Sequence, residues 1–204
     1  MLRKIAAPQA VAAALAMMLP ASAIAQSAEA PAQEAEAVPS APPAAAIIAN
    51  LDKISPLQIV HPVSEYWQRG DKLQAALWFY IWQIRTDAWV GTDPAFDNAR
   101  SALNSQMGQT INGWIAADPD LWLATARRAI AFESKLPLWT TRPPEMTEEE
   151  WNTRIATTRA EYKTGMEEAF AETGPDAIRA GRRENGLYVG TLTDAGAPLP
   201  DEWH

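Results

Sequence analysis

The sequence predicts an all-α protein, a single compact bundle of about five to six helices behind an N-terminal leader and a disordered Ala/Pro-rich linker. Three observations carry that expectation. Apolar residues recur at helical spacing, as in Ala99, Leu103, Met107, Ile111 and Trp114, and again in Trp151, Ile155, Tyr162, Met166 and Ala169. Caps and stops punctuate the chain between these stripes: Ser55-Pro56, Asp118-Pro119, Thr147 with Glu150, and Gly174-Pro175. No alternating apolar run is long enough to build a sheet.

The leader comes first. Arg3 and Lys4, an alanine-rich apolar run and Ala23-Ile24-Ala25 have the charge, core and small-residue pattern of a secretory signal peptide over residues 1–25. Cleavage between Ala25 and Gln26 would send the chain to the periplasm or outside the cell. The run holds Pro8, Gln9 and Pro20 and falls short of a comfortable span of about 20 apolar residues, so no membrane span is expected after cleavage. With 0 cysteines there are no disulfides, no thiolate ligands and no acylated cysteine. Residues 26–46 are almost entirely Ala, Pro, Glu, Gln and Ser, with Pro31, Pro39, Pro42 and Pro43 against helix and only Val38 to bury. They read as a disordered linker.

From residue 47 the composition changes, and residues 47–185 have the size of one helical domain. Ser55-Pro56 caps a first turn, Pro62 interrupts, and residues 63–69 make a short helical piece. Gly70-Asp71 ends that piece and caps a helix over residues 72–90, which stops at Gly91-Thr92-Asp93-Pro94. A helix over residues 97–117 follows, with Asn104, Ser105 and Asn112 off its apolar stripe. Asp118-Pro119 opens the next, to residue 135, before a stiff loop at 137–146 carrying Trp139 and Pro143-Pro144. Thr147 and Glu150 form a capping box for a helix that ends at Gly174-Pro175, with a further turn or two at 177–183. Residues 186–204 read as an irregular tail with a short extended piece near 187–192.

Tyr66-Trp67-Gln68-Arg69-Gly70-Asp71, followed by Ala75, Ala76, Trp78, Phe79 and Tyr80, resembles the helix-turn-helix of tetratricopeptide and Sel1-like repeats. The unit occurs once, without the repeat of about 34 residues that such arrays show. The resemblance implies an α-hairpin, a protein-binding surface and no catalysis.

Two charges fall on apolar faces. On the helix over 72–90, Lys72, Gln83 and Asp87 take the wet side, whereas Arg85 sits inside the stripe of Trp78, Trp82 and Trp89. On the helix after Pro119, Arg127, Arg128, Ser134 and Lys135 are wet, whereas Glu133 joins the apolar arc of Trp122, Ala126, Ala129 and Ile130. Arg85 and Glu133 are therefore expected to meet, either as a structural ion pair that fixes how two helices dock or as a ligand or partner site. The candidate binding residues are Arg85, Glu133, Trp82, Trp89 and Trp139. Of the nine tryptophans, those at helical spacing read as core, and Trp139 and Trp203 as candidates for the surface. His61 and His204 lack metal-ligand spacing, and no metal or cofactor is expected.

The charge narrows the partners. Formal net charge is −8, and loss of Arg3 and Lys4 would deepen it by two, which argues against nucleic acid and against anionic lipid. The nucleophile-elbow, zinc-protease, phosphate-loop and dinucleotide motifs are missing. The first reading is a non-enzymatic helical module of the bacterial envelope that binds another envelope protein. A second is a periplasmic inhibitor or immunity-type protein with an acidic surface. A third is a glycan-acting enzyme using Glu133, with Asp97 or Glu65 as the second acid.

Overall fold

The computed structural model describes residues 44–203; the leader, the linker up to residue 43 and His204 lie outside the described residues. Six α-helices follow one another: α1 (Ala44–Ile48), α2 (Val60–Gln68), α3 (Lys72–Asp87), α4 (Pro94–Ile115), α5 (Pro119–Glu133) and α6 (Glu148–Glu184). Short 3-10 turns at Pro56–Ile59 and Asp201–Trp203 complete the set. Among the described residues there is no strand, and the protein is all-α. No helix among them is long and apolar enough to cross a membrane.

The core is built around α3. Every residue from Gln74 through Thr86 is buried, because α3 packs against α2, α4, α5 and α6. A helix enclosed on all sides keeps no solvated face. That corrects the wet side expected for Gln83, which is only 4 % exposed. Its amide donates to Asn104 Oδ1 at 2.7 Å and accepts from the Tyr162 hydroxyl at 2.9 Å.

The caps position the remaining helices. Asp93 accepts the Ala95 N–H at 2.9 Å with Pro94 at the first helical position, so α4 starts three residues before the expected 97. Asp118 caps α5 through the Leu121 N–H at 3.1 Å. At α6, Thr147 Oγ1 accepts the Glu150 N–H at 3.3 Å while Glu150 Oε2 accepts the Thr147 N–H at 2.9 Å. Gly174, at φ 71°, breaks the axis of α6, and Pro175 restarts it. Pro62 does not interrupt α2, because it lies in the first turn, where no intrahelical N–H is needed. α1 begins at Ala44, inside the expected linker, and buries Ala44 and Ile47.

On α4 the inward side is Gly108, Ile111, Asn112 and Ile115. Asn112 therefore belongs to the core, accepting from the Tyr80 hydroxyl at 2.9 Å, and Asn104 is half-buried against Gln83, while Ser105 stays exposed. The expected stripe members Ala99, Leu103, Met107 and Trp114 are only half-buried.

The tail folds back onto the bundle. The Leu73 N–H donates to the Ala195 carbonyl at 3.0 Å, and the Ala197 N–H donates to Asp71 Oδ1 at 3.1 Å. Arg128, placed on the wet face by sequence, is half-buried and grips the tail: Nε donates to the Trp203 carbonyl at 2.8 Å and Nη2 to the Pro200 carbonyl at 2.6 Å. Trp203 is buried rather than superficial, edge-on to Trp78 at 5.5 Å and stacked with Phe132 at 6.2 Å. Leu187 and Tyr188 are exposed and form no strand.

Candidate functional site

The two misplaced charges meet. Arg85 Nη1 donates to Glu133 Oε1 at 3.2 Å, with the two side chains 0 % and 3 % exposed. Arg85 Nη2 donates to the Pro137 carbonyl at 2.8 Å, and the guanidinium lies 4.2 Å from the centroid of Trp139. Stacking of that kind leaves Arg85 Nε without an acceptor among the described residues. Burial lowers the Arg85 pKa to about 10; Glu133 opposes the shift and Arg159 adds to it. Arg85 thus remains a cation at neutral pH.

Arg159 of α6 is the partner that sequence reasoning missed. Its Nε donates to Glu133 Oε2 and its Nη2 to Glu133 Oε1, both at 2.7 Å, and Nη2 also reaches the Glu133 carbonyl at 3.3 Å. The signal was available, since Arg159 lies one helical turn from Ile155 and Tyr162 on the apolar side of α6. One carboxylate from α5 thus binds guanidiniums from α3 and α6.

This clasp holds a loop. Pro137 and Trp139 belong to the stretch after α5, and Thr140 fastens the same stretch to the Asp52 carbonyl through its N–H at 2.8 Å and Oγ1 at 2.9 Å. The loop continues as Thr141, Pro143, Pro144 and Glu145, one wall of an open cleft of about 490 Å³. Lys53, Ile54, Ser55 and Pro56 line the cleft too, as do Trp89, Thr92, Asp93 and Phe96. That volume lies within the range of ligand-binding clefts. Arg154 of α6 fixes the segment after α3 by donating Nε to the Ala88 carbonyl at 2.6 Å and Nη2 to the Val90 carbonyl. Asp97 accepts the Gly91 N–H at 3.0 Å and closes the turn between α3 and α4.

Trp89 joins clasp and cleft. Its ring is edge-on to Trp151 at 4.8 Å and to Trp139 at 6.1 Å, and tilted against Phe96 at 6.2 Å. The indole N–H groups of Trp89, Trp139 and Trp151 find no acceptor among the described residues. The interior around the loop is therefore rich in donors and poor in acceptors. Trp139 is 7 % exposed, a lid over Arg85 rather than a surface residue, because the guanidinium stacks on its face. Trp82 is fully buried and stacked with Phe79 at 5.8 Å, away from the cleft lining.

Neither Asp97 nor Glu65 is a partner of Glu133. Glu65 accepts the Ala44 N–H at 2.6 Å and an N–H of Arg69 at 3.2 Å, so it secures α1. Among the described residues, no group of His, Asp and Glu could hold a metal ion. No protein-family model, curated protein or solved structure matches the chain.

Proposed function

We propose that the chain is an exported, non-enzymatic interaction module of the bacterial envelope, and that the cleft between Trp89 and Pro143-Pro144 binds an extended, proline-containing segment of another envelope protein. The observation that carries this reading is the lining: Trp89 and Phe96 with Pro56, Pro143 and Pro144. Proline rings pack on aromatic faces, and a proline-rich strand is recognised in aromatic-lined grooves. Such a strand is already extended, so it loses little entropy on binding. The two arginines on Glu133 support a non-enzymatic reading, since they engage both of its carboxylate oxygens.

The test is a peptide array probed with the full-length chain, pairing proline-containing peptides with proline-free scrambles. Binding should favour the proline-containing set and be lost in Phe96→Ser, whose helical circular dichroism should be unchanged because Phe96 is only half-buried. Equal binding to both sets overturns the reading. Export is tested separately by N-terminal sequencing of periplasmic protein, which should begin at Gln26.

A further inference from the structure

The peptide cleft lies close to the point where the linker enters the fold. Ala44 opens α1, and its N–H donates to Glu65 Oε2 at 2.6 Å, so the chain is fastened there. From Ala44 the backbone advances by helical turns: the Ala49 N–H donates to the Ala45 carbonyl at 3.0 Å and the Ile54 N–H to the Asn50 carbonyl at 3.2 Å. At helical rise those turns keep Ile54, which lines the cleft, within about 16 Å of Ala44. On the other side of Ala44 the sequence reads Val38-Pro39-Ser40-Ala41-Pro42-Pro43. At the ~3.1 Å per residue of a polyproline strand, Pro39 reaches about 15 Å from Ala44 and Val38 about 19 Å. Val38-Pro39 is therefore the first part of the linker with the length to enter the cleft. Val38 is also the one large apolar side chain in residues 26–43. Residues 37–43 carry no charge, so neither Lys53 nor Asp93 and Glu145 in the lining repels them. Trp89 and Phe96 are only half-buried and keep apolar surface in that lining.

We propose that Val38-Pro39 docks in the cleft of its own molecule, an autoinhibitory contact that a partner's proline-containing segment must displace. The proposal rests on the peptide-cleft reading and names the chain's own linker as the competing occupant. A short tether holds its ligand at an effective concentration in the millimolar range, so a contact too weak to form between separate molecules still competes within one. The fraction of clefts filled in this way lowers the apparent affinity for every foreign peptide by the same factor. Proline at position 39 restricts the backbone before docking, which reduces the entropy lost on binding, and Val38 adds the apolar area that the rest of the linker lacks.

The test compares the full-length chain with its Val38→Ser/Pro39→Ser variant by nitrogen–proton correlation NMR. The backbone amides of Ile54, Thr92, Phe96 and Thr141 report on the cleft. These signals should differ between the two chains, and by the same amount after tenfold dilution. The probe is a synthetic peptide of residues 33–43. Added to the variant, it should move the same amides toward their parent positions, saturating with a Kd of order 1 mM. The parent should bind it about threefold to fivefold more weakly, because its own linker competes. Helical circular dichroism should be the same for both chains, since the substitutions lie before α1. Cleft amides that coincide in parent and variant overturn the proposal. So does a difference that fades on dilution, which would assign the contact to a second copy, or equal affinity of both chains for the peptide. Proline-containing array peptides that bind both chains alike would overturn the contact within the molecule and leave the peptide-cleft reading standing. Displaced cleft amides with no array peptide bound by either chain would instead sink the foreign partner and keep the linker contact.

Discussion

Replacing Glu133 by glutamine tests the clasp most directly. The carboxylate accepts one N–H from Arg85 at 3.2 Å and two from Arg159 at 2.7 Å each. Arg85 has a side chain 0 % exposed, so it has no route to water, whereas Arg159 is 26 % exposed and can turn outward. Removing one partner of a buried ion pair costs about 3–5 kcal/mol, because the surviving charge is left uncompensated. Glutamine keeps the shape and one acceptor oxygen, and a retained hydrogen bond returns about 1 kcal/mol. The expected loss is therefore about 2–4 kcal/mol, read as a lower urea midpoint with an unchanged slope. Adding Arg85→Met should recover at least about 1 kcal/mol, since methionine fills the channel without charge and packs on Trp139. Arg159→Gln alone should cost only about 1 kcal/mol because of its exposure. The reasoning is refuted if Glu133→Gln costs less than about 1 kcal/mol, or if the double variant loses the sum of the two single losses.

Four further predictions concern the tail and the buried phenols. Gly196→Ala should free the tail and destabilise the fold by more than about 2 kcal/mol: at φ +78° a Cβ would lie 2.3 Å from the Gly70 carbonyl oxygen, and limited proteolysis after residue 186 should accelerate. Trp203→Ala should cost about 3–5 kcal/mol in urea unfolding, since it empties the space between Trp78 and Phe132; a loss below about 1 kcal/mol would mean the tail is not part of the core. Asp71 is held below the usual carboxylate range first by Arg69 and then by the Ala197 N–H, and Asp194 first by Lys72 and then by the Trp114 indole. Stability from a lowered carboxylate is present above its ordinary pKa and lost as pH falls, so protection of the Leu73 and Ala197 amides against hydrogen exchange should drop below about pH 4 and not before. Burial raises the Tyr80 and Tyr162 hydroxyls above 10.0, so their contribution is full below that pH and lost as pH rises. Their phenolate absorbance at high pH should appear together with loss of helical circular dichroism, and ionisation in the intact helical chain would refute the burial argument.

Local signals were the legible ones. The caps at Asp118 and Thr147 and the break at Gly174 each depend on a few adjacent residues, and each lies where the sequence indicates, whereas Asp93, read only as part of a stop, caps α4 three residues before its expected start. The encounter of Arg85 with Glu133 was legible because each charge breaks the periodicity of its own helix. What depends on three dimensions was not. Gln83 was read as wet because a helical wheel assumes one solvated side, and α3 has none; Asn112 was placed off the stripe of α4 because its partner, the Tyr80 hydroxyl, comes from another helix. Arg128 and Trp203 were read as surface residues because the closure of the tail is a long-range contact between positions 75 residues apart. The cleft was not legible as a site: its walls come from three separate stretches around residues 53–56, 89–96 and 141–145, brought together by long-range contacts such as Thr140 with Asp52 and Trp139 with Trp89.

The buried polar groups of α3 have a further consequence. A helix apolar on every side is weakly fixed in rotation by hydrophobic contact alone, because burial is non-directional. On α3, however, Tyr80 bonds Asn112 of α4, Gln83 bonds Asn104 of α4 and Tyr162 of α6, and Thr86 Oγ1 accepts from Arg100 of α4 at 2.9 Å. Arg85 bonds Glu133 of α5. These side chains point in different directions around one axis, so turning α3 by one residue, about 100°, would break all of them at once. Each broken pair would strand a buried polar group at about 1–3 kcal/mol, and more for the arginine. An apolar residue at position 85 could match the stability of the ion pair but would contribute nothing to this choice of rotation. The same rotation sets where α3 delivers Trp89 and where Arg85 meets Pro137 and Trp139, which are the contacts that shape the cleft. On this argument Arg85 is a positioning residue for the cleft, and the misplaced charge in the tryptophan stripe shapes its walls by fixing the orientation of the central helix.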